Sequence, residues 1–213
     1  PDCAEAWHLL GGVAYQTGRV ELAVQYVGRS IGLKPEVAAA HYDLGLIFQR
    51  LGRFDEAAAH YRRAIDLRPD FAQAHNNLGD VLKGQGKLAE SADHFRRAIE
   101  ANPNFAEAYN NLGAVIQMQG QPVEAVKFYR RALELAPEFA EAHSNLGAAL
   151  KDQGLLDEAV ACQLRALGLN PNYVPAHMNL GTALQAQGKI ADAIDSYRRA
   201  LELMPQLAAA HFN

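Results

Sequence analysis

Eight histidines, two cysteines and four adjacent arginine pairs are the side chains with most chemistry within reach in this 213-residue sequence. His41, His75, His143, His177 and His211 are separated by multiples of 34 residues. A metal centre needs ligands that converge on one ion at ~2.0–2.1 Å. Side chains on successive helix layers, each ~8–10 Å from the next, do not converge. These imidazoles are therefore expected to pack, with a mild sensitivity to pH near the imidazole range. His60 and His94, one interval apart, read as packing or surface residues in the same way. No metal site and no cofactor are expected. Cys3 and Cys162 lack the C-x-x-C spacing of a metal or redox site, which fits a reducing compartment. Arg62–Arg63, Arg96–Arg97, Arg130–Arg131 and Arg198–Arg199 are followed three or four residues later by Asp66, Glu100, Glu134 and Glu202. That spacing predicts helical ion pairs on a solvated face, each worth ~0.2–0.5 kcal/mol, rather than a phosphate-binding strip. The glycines are dispersed, unlike those of a phosphate loop. Neither a serine nucleophile elbow nor a carboxylate pair in a predicted cleft is present, so catalysis within these residues is not expected.

Composition bounds the partners. The sequence is 49% hydrophobic and 21% charged, with a net charge of -4 and a pI near 6.1. There is no basic excess to neutralise phosphates, so nucleic acid is not an expected partner. No apolar run approaches the ~18 residues of a membrane span, and a cytoplasmic location is expected. The sequence opens at Pro1 without a Met, so it reads as a fragment from which an upstream signal could have been lost.

The elements that must position these residues are set by breakers at a period of 34. Gly11, Gly45, Gly79, Gly113, Gly147 and Gly181 form one comb; Gly18, Gly52, Gly86, Gly120, Gly154 and Gly188 form another. Pro35, Pro69, Pro103, Pro137, Pro171 and Pro205 are in register with them, as are Leu10, Leu44, Leu78, Leu112, Leu146 and Leu180. Each period reads as helix–turn–helix. Over 106–139, Ala108, Tyr109, Leu112, Val115 and Ile116 share one helical face. Gly120 permits a positive-φ turn, Pro122 suits the first turn of a second helix, and Ala125, Val126, Phe128, Tyr129, Ala132 and Leu133 make its apolar stripe before Pro137 stops it. Gly113 sits mid-helix, where glycine costs up to ~1 kcal/mol against alanine; its recurrence predicts close approach of the partner helix. The expected units are 4–37, 38–71, 72–105, 106–139, 140–173 and 174–207, with 208–213 opening a truncated seventh. One hairpin cannot bury its own apolar face, so neighbours must stack, and the flank at Leu201, Leu203 and Met204 is expected to be partly open.

The sequence resembles the tetratricopeptide repeat family, whose signature runs W-x-x-L-G…A-x-x-x-F…P. It shows Trp7-x-x-Leu10-Gly11, then Ala57-x-x-x-Tyr61, Ser91-x-x-x-Phe95, Ala125-x-x-x-Tyr129 and Ala193-x-x-x-Tyr197. Val27 and Gln163 stand where the aromatic is expected, and looser helix packing is expected at both. The resemblance implies an all-α, right-handed superhelical solenoid and a role in protein binding. A narrower string, P-x-F-A-x-A-H/Y-x-N-L-G at Pro69–Gly79, Pro103–Gly113 and Pro137–Gly147, is similar to the repeats preceding the catalytic part of protein O-GlcNAc transferases and their bacterial relatives. In that family the repeats present protein substrates to a sugar-transfer domain.

By the same resemblance the first helix of each unit lines a concave groove. The position before the recurring Leu reads Leu9, Asp43, Asn77, Asn111, Asn145, Asn179 and Asn213. An asparagine ladder offers donor and acceptor at each step and can hold the backbone of an extended peptide; the plainer reading is that it caps or bridges neighbouring helices. Two further groove positions read Gly12, Leu46, Asp80, Ala114, Ala148, Thr182 and Tyr15, Gln49, Lys83, Gln117, Lys151, Gln185. The residues before the ladder, His8, Tyr42, Asn76, Asn110, Ser144 and Met178, provide no Lys/Arg clamp for a terminal carboxylate. Three functions follow as expectations. The first is a groove that binds protein or peptide segments through Asn77, Asn111, Asn145 and Asn179, helped by Asp43, Asp80, Lys83, Gln117, Lys151 and Thr182. The second is the substrate-recruiting region of a larger glycosyltransferase. The third is a scaffold self-associating through its convex face or open C-terminal end.

Overall fold

The computed structural model describes residues 3–204. Pro205, His211, Asn213 and the expected seventh unit at 208–213 lie outside the described residues. Among those described there are twelve α-helices and no strand: α1 (Ala4–Gln16), α2 (Val20–Leu33), α3 (Ala38–Arg50), α4 (Phe54–Leu67), α5 (Ala72–Gly84), α6 (Leu88–Ala101), α7 (Ala106–Met118), α8 (Pro122–Leu135), α9 (Ala140–Asp152), α10 (Leu156–Leu169), α11 (Val174–Ala186) and α12 (Ile190–Leu203). They pair in chain order as six hairpins. The chain divides into two compact units, Pro1–Pro103 and Asn104–Asn213. The first stacks α1–α2, α3–α4 and α5–α6; the second stacks α7–α8, α9–α10 and α11–α12. Each unit is an all-α helical-hairpin solenoid.

The turn inside each hairpin is a glycine device. Gly86 has φ +74°, a left-handed backbone that costs other residues dearly. Its N–H bonds the carbonyl of Lys83 at 3.0 Å, and the N–H of Lys87 bonds that of Leu82 at 3.0 Å, which closes the end of α5 as a Schellman motif. The helix starts are held differently. None has a side-chain cap hydrogen bond; α5 instead follows Phe71, whose ring is buried.

Tight interhelix packing explains the mid-helix glycines. A Cβ added at Gly45 would lie 2.5 Å from the Tyr61 ring, one at Gly79 2.9 Å from Phe95, and one at Gly113 2.8 Å from Tyr129. The ring of the second helix lies directly on bare backbone of the first. In the third hairpin the buried Ser91 hydroxyl also donates to the Gly79 carbonyl at 2.6 Å.

The expectation of loose helix pairs at Val27 and Gln163 is corrected. At Gly147 an added Cβ would meet the Gln163 amide nitrogen at 2.5 Å and the Ala159 carbonyl at 3.0 Å; at Gly11 it would meet a Val27 methyl and the Val27 backbone nitrogen at 3.2 Å. Where the ring is missing, the second helix brings its backbone up to the glycine, although beside Val27 a cavity remains between α1 and α3. Gln163 is fully buried and donates to the Ser144 carbonyl at 2.8 Å, while its own carbonyl oxygen has no partner.

The surface charges pair locally. Arg131–Glu134 (2.7 Å) and Arg199–Glu202 (2.9 Å) form as the spacing predicts, whereas Arg96 and Arg198 turn back to Asp93 and Asp195. Leu201 and Met204 are exposed, and Leu203 is half-buried. No helix among the described residues is long and apolar enough to cross a membrane.

Candidate functional site

The asparagine positions form bridges between hairpins at a constant spacing of 35 residues. In the second unit, Asn145 Nδ2 on α9 donates to Asn110 Oδ1 on α7 at 2.9 Å, and Asn179 Nδ2 on α11 donates to Ser144 Oγ on α9 at 3.1 Å. In the first unit, Asn77 Nδ2 on α5 donates to the Tyr42 hydroxyl on α3 at 3.2 Å. His8 Nε2 and Asp43 Oδ2 make the equivalent contact between α1 and α3 at 2.6 Å. In these four bridges the partner is the residue just before the preceding ladder position. Asn110 is almost fully buried and also donates to Glu141 at 3.1 Å. Asn111 occupies the ladder position of α7, half-buried.

The position six residues after the ladder is governed by the second helix. Tyr61 donates its hydroxyl to Gln49 Oε1 at 2.6 Å, Tyr129 to Gln117 at 3.0 Å and Tyr197 to Gln185 at 3.1 Å, each across its own hairpin. Where the second helix offers no phenol, glutamine is absent: Tyr15 stands with Val27, Lys83 with Phe95, Lys151 with Gln163. The two kinds of hairpin alternate along the chain. The glutamine then reaches onward, Gln49 Nε2 to Asp80 at 3.4 Å and Gln117 Nε2 to Asp152 at 2.8 Å. Lys83 pairs with Asp80 (2.8 Å) and Lys151 with Asp152 (3.3 Å). Burial pushes the phenols of Tyr61 and Tyr129 well above the usual range, so both stay protonated donors. Thr182 bonds its own helix, at the Asn179 carbonyl (2.9 Å).

Of the predicted site residues, the first unit thus brings together Asp80 and Lys83, beside the Asn77 and Asp43 bridges. The second joins Gln117 to Lys151 through Asp152 and holds Asn145 and Asn179 in bridges; Thr182 serves its own turn.

Two histidine pairs escaped the spacing argument. His41 Nδ1 lies 3.1 Å from His60 Nδ1, and His75 Nδ1 lies 3.0 Å from His94 Nδ1, nineteen residues on in each case. The other nitrogen, Nε2, of His41 and His75 faces the carbonyls of Pro35 and Pro69 at 3.0 Å. A carbonyl only accepts, so Nε2 carries the proton and Nδ1 must accept from the partner ring. The same carbonyl contact recurs for His143 and His177. The usable signal was the i, i+19 relation itself, which also joins Trp7 to Tyr26 and Tyr42 to Tyr61. Burial, the neighbouring His75, and then Arg62 and Arg97 hold the His94 imidazole down to about 4. Among the described residues no three His, Cys, Asp or Glu side chains are placed to share a metal ion.

Hairpins of this length, joined by positive-φ glycines and locked by ring-on-glycine contacts, match two tetratricopeptide repeat models, one over residues 2–70 and 138–206, the other over 42–104 and 77–138. The chain belongs to the tetratricopeptide repeat family. It is accordingly a protein–protein interaction module. No curated protein matches the sequence. Among solved structures, this tetratricopeptide chain is similar to YrrB, described as a TPR protein with an unusual peptide-binding site, at 24% identity over 84% of this chain and 92% of that one, with a TM-score of 0.66. It is similar to Pseudomonas aeruginosa pilF at 20% identity over 95% and 92%, with a TM-score of 0.82. It also resembles a chain of the APC/C hetero-tetramer Cut9–Hcn1 at 20% identity and a TM-score of 0.85, spanning 96% of this chain and 41% of that one. At these identities the likeness shows the fold.

Proposed function

We propose that the first-helix face of each unit binds extended peptide segments of a protein partner. The observation that carries this reading is the pre-ordered polar row on that face. Asn77, Asn145 and Asn179 are each fixed by a bridge from Nδ2. A bridged amide still offers a carbonyl lone pair to a peptide N–H, at Asn77 beside the 3.3 Å bond that its Oδ1 accepts from Asn76 Nδ2, and holding it in place beforehand lowers the ordering cost of binding. Bridging and binding are thus two uses of one side chain. Lys83 with Asp80, and Lys151 with Asp152, add paired charges that discriminate among side chains. YrrB, a fold relative with a peptide-binding site, supports the same class of ligand.

The test uses peptides selected by display against the whole chain. Asn111→Ala and Asn145→Ala are expected to weaken affinity by ~0.5–1.5 kcal/mol each, the net worth of one hydrogen bond, with helicity retained. Unchanged affinity for every selected peptide refutes the ladder; failure to select any peptide refutes the groove.

A second reading is favoured by the repeated string at Pro69–Gly79, Pro103–Gly113 and Pro137–Gly147. In it the array recruits protein substrates for a sugar-transfer domain. Its expected finding is a nucleotide-sugar-binding domain encoded after residue 213, and a stop codon soon after would refute it.

A further inference from the structure

The first hairpin carries Val27 where the second, third, fourth and sixth carry Tyr61, Phe95, Tyr129 and Tyr197. In those four the ring lies on the glycine of the first helix. Although α2 closes onto α1, a cavity of about 180 Å³ remains between α1 and α3. Buried Val27, Gly11 and Ile47 form its floor; half-buried Leu46, Tyr15 and Asp43, with exposed Gly12, form its rim. Between α3 and α5 the cavity, about 280 Å³, is displaced towards the hairpin turn: Phe54, Gly84 and Gln85 line it with Gln49, Asp80, Val81 and Lys83, and neither Gly45 nor Tyr61 does, the Tyr61 ring lying on Gly45. The gap at Val27 is therefore left by the missing ring. Tyr15, which stands where the second, fourth and sixth hairpins carry glutamine, lines the gap without filling it.

We infer that this gap is a socket for one aromatic side chain, a tyrosine, of the segment held on the first-helix face; the inference rests on the peptide-binding reading above. The sister hairpins show which group fits over bare glycine backbone: a phenyl or phenol ring. An apolar cavity of ~150 Å³ takes up benzene, so the space here is adequate for one ring. Val27, Leu46 and Ile47 give it an aliphatic side, against which a ring gains by leaving water, while Tyr15, Gln16 and Asp43 give it a polar one. The charged group at the rim is the Asp43 carboxylate, held at 2.6 Å by His8. Its lone pairs accept a phenol O–H, as Gln49 accepts that of Tyr61 across the next hairpin. The socket thus copies an intramolecular contact for use by a partner.

The probes are toluene and p-cresol, titrated against the whole chain with methyl groups of Val27, Leu46 and Ile47 observed by NMR. Saturable shifts at these methyls are expected, at least threefold tighter for p-cresol. Val27→Tyr should abolish them by supplying the ring from within. Should that variant fail to fold in the closed-up hairpin, Gly12→Leu is the second arm. An added Cβ at Gly12 meets nothing within 4 Å, so this variant should keep the fold and obstruct the rim. No saturable shift in the natural chain, or shifts retained in a folded variant, would overturn the socket. Small aromatics need no groove, so this result is separable from the ladder test. With a display-selected peptide, replacing its aromatic residue by Ala should cost about tenfold on the natural chain and nothing on Gly12→Leu. Selected peptides without an aromatic residue would also overturn it.

Discussion

The hydroxyl of Tyr129 donates to Oε1 of Gln117 at 3.0 Å, twelve residues back and across one hairpin. The phenol is buried and the glutamine half-buried, so the bond joins the core to the first-helix face. Tyr129→Phe removes the donor and frees the amide that Gln117 points at Asp152. A double-mutant cycle with Gln117→Leu, read by urea unfolding, should give a coupling of ~0.5–1.5 kcal/mol. The cycle at Phe95 and Lys83, where no such bond can form, should give a coupling near zero.

Glycine to alanine substitution should change sign with position. At Gly113 the new Cβ meets the Tyr129 ring at 2.8 Å, and overpacking costs ~1–3 kcal/mol, which outweighs the helix-propensity gain of up to ~1 kcal/mol. Gly84, in α5, would put its Cβ in open space, so Gly84→Ala should gain ~0.5–1 kcal/mol. Thermal melts of the two variants separate the cases; equal shifts of the same sign would contradict the ring-on-glycine account.

The His75–His94 pair predicts a pH dependence. Folding lowers the His94 imidazole to about 4, against ~6.5 for an unperturbed histidine. The unfolded chain therefore binds more protons between these values. Stability is full above pH ~6.5, falls as the pH drops towards 4, and levels below it. Because the ring is partly solvated, the loss should be only ~1–2 kcal/mol. Urea unfolding at pH 5 and pH 7.5 measures it, and His94→Gln should flatten the difference.

How much of this was readable beforehand depends on the distance over which each contact acts. The hairpin turns at Gly86 and Gly120 follow from backbone chemistry local to a few residues, and the sequence shows them directly. The bridge from Asn145 to Asn110 and the His41–His60 pair depend on how neighbouring helices are rotated, which periodicity within one helix leaves open. The pairing of Gln117 with Tyr129 had a sequence trace, in two columns that vary together, but each column alone looks like an idle solvated face. The packing at Gln163 is not legible in the sequence because a shorter side chain suggests a gap, whereas two helices free to slide close over it.

The alternation of hairpins bears on how such a chain tolerates splicing. Gln49 finds its carboxylate in the next hairpin at Asp80. Excising residues 72–105 would bring up Ala114 and Met118 in the sequence places that hold acids in the lysine-bearing hairpins, and the amide would lose its acceptor. Excising residues 72–139 would instead bring up Asp152, along with Lys151. The smallest length that can be cut or duplicated without breaking this relay is therefore two hairpins, and a deletion of residues 72–139 should cost less stability than one of residues 72–105.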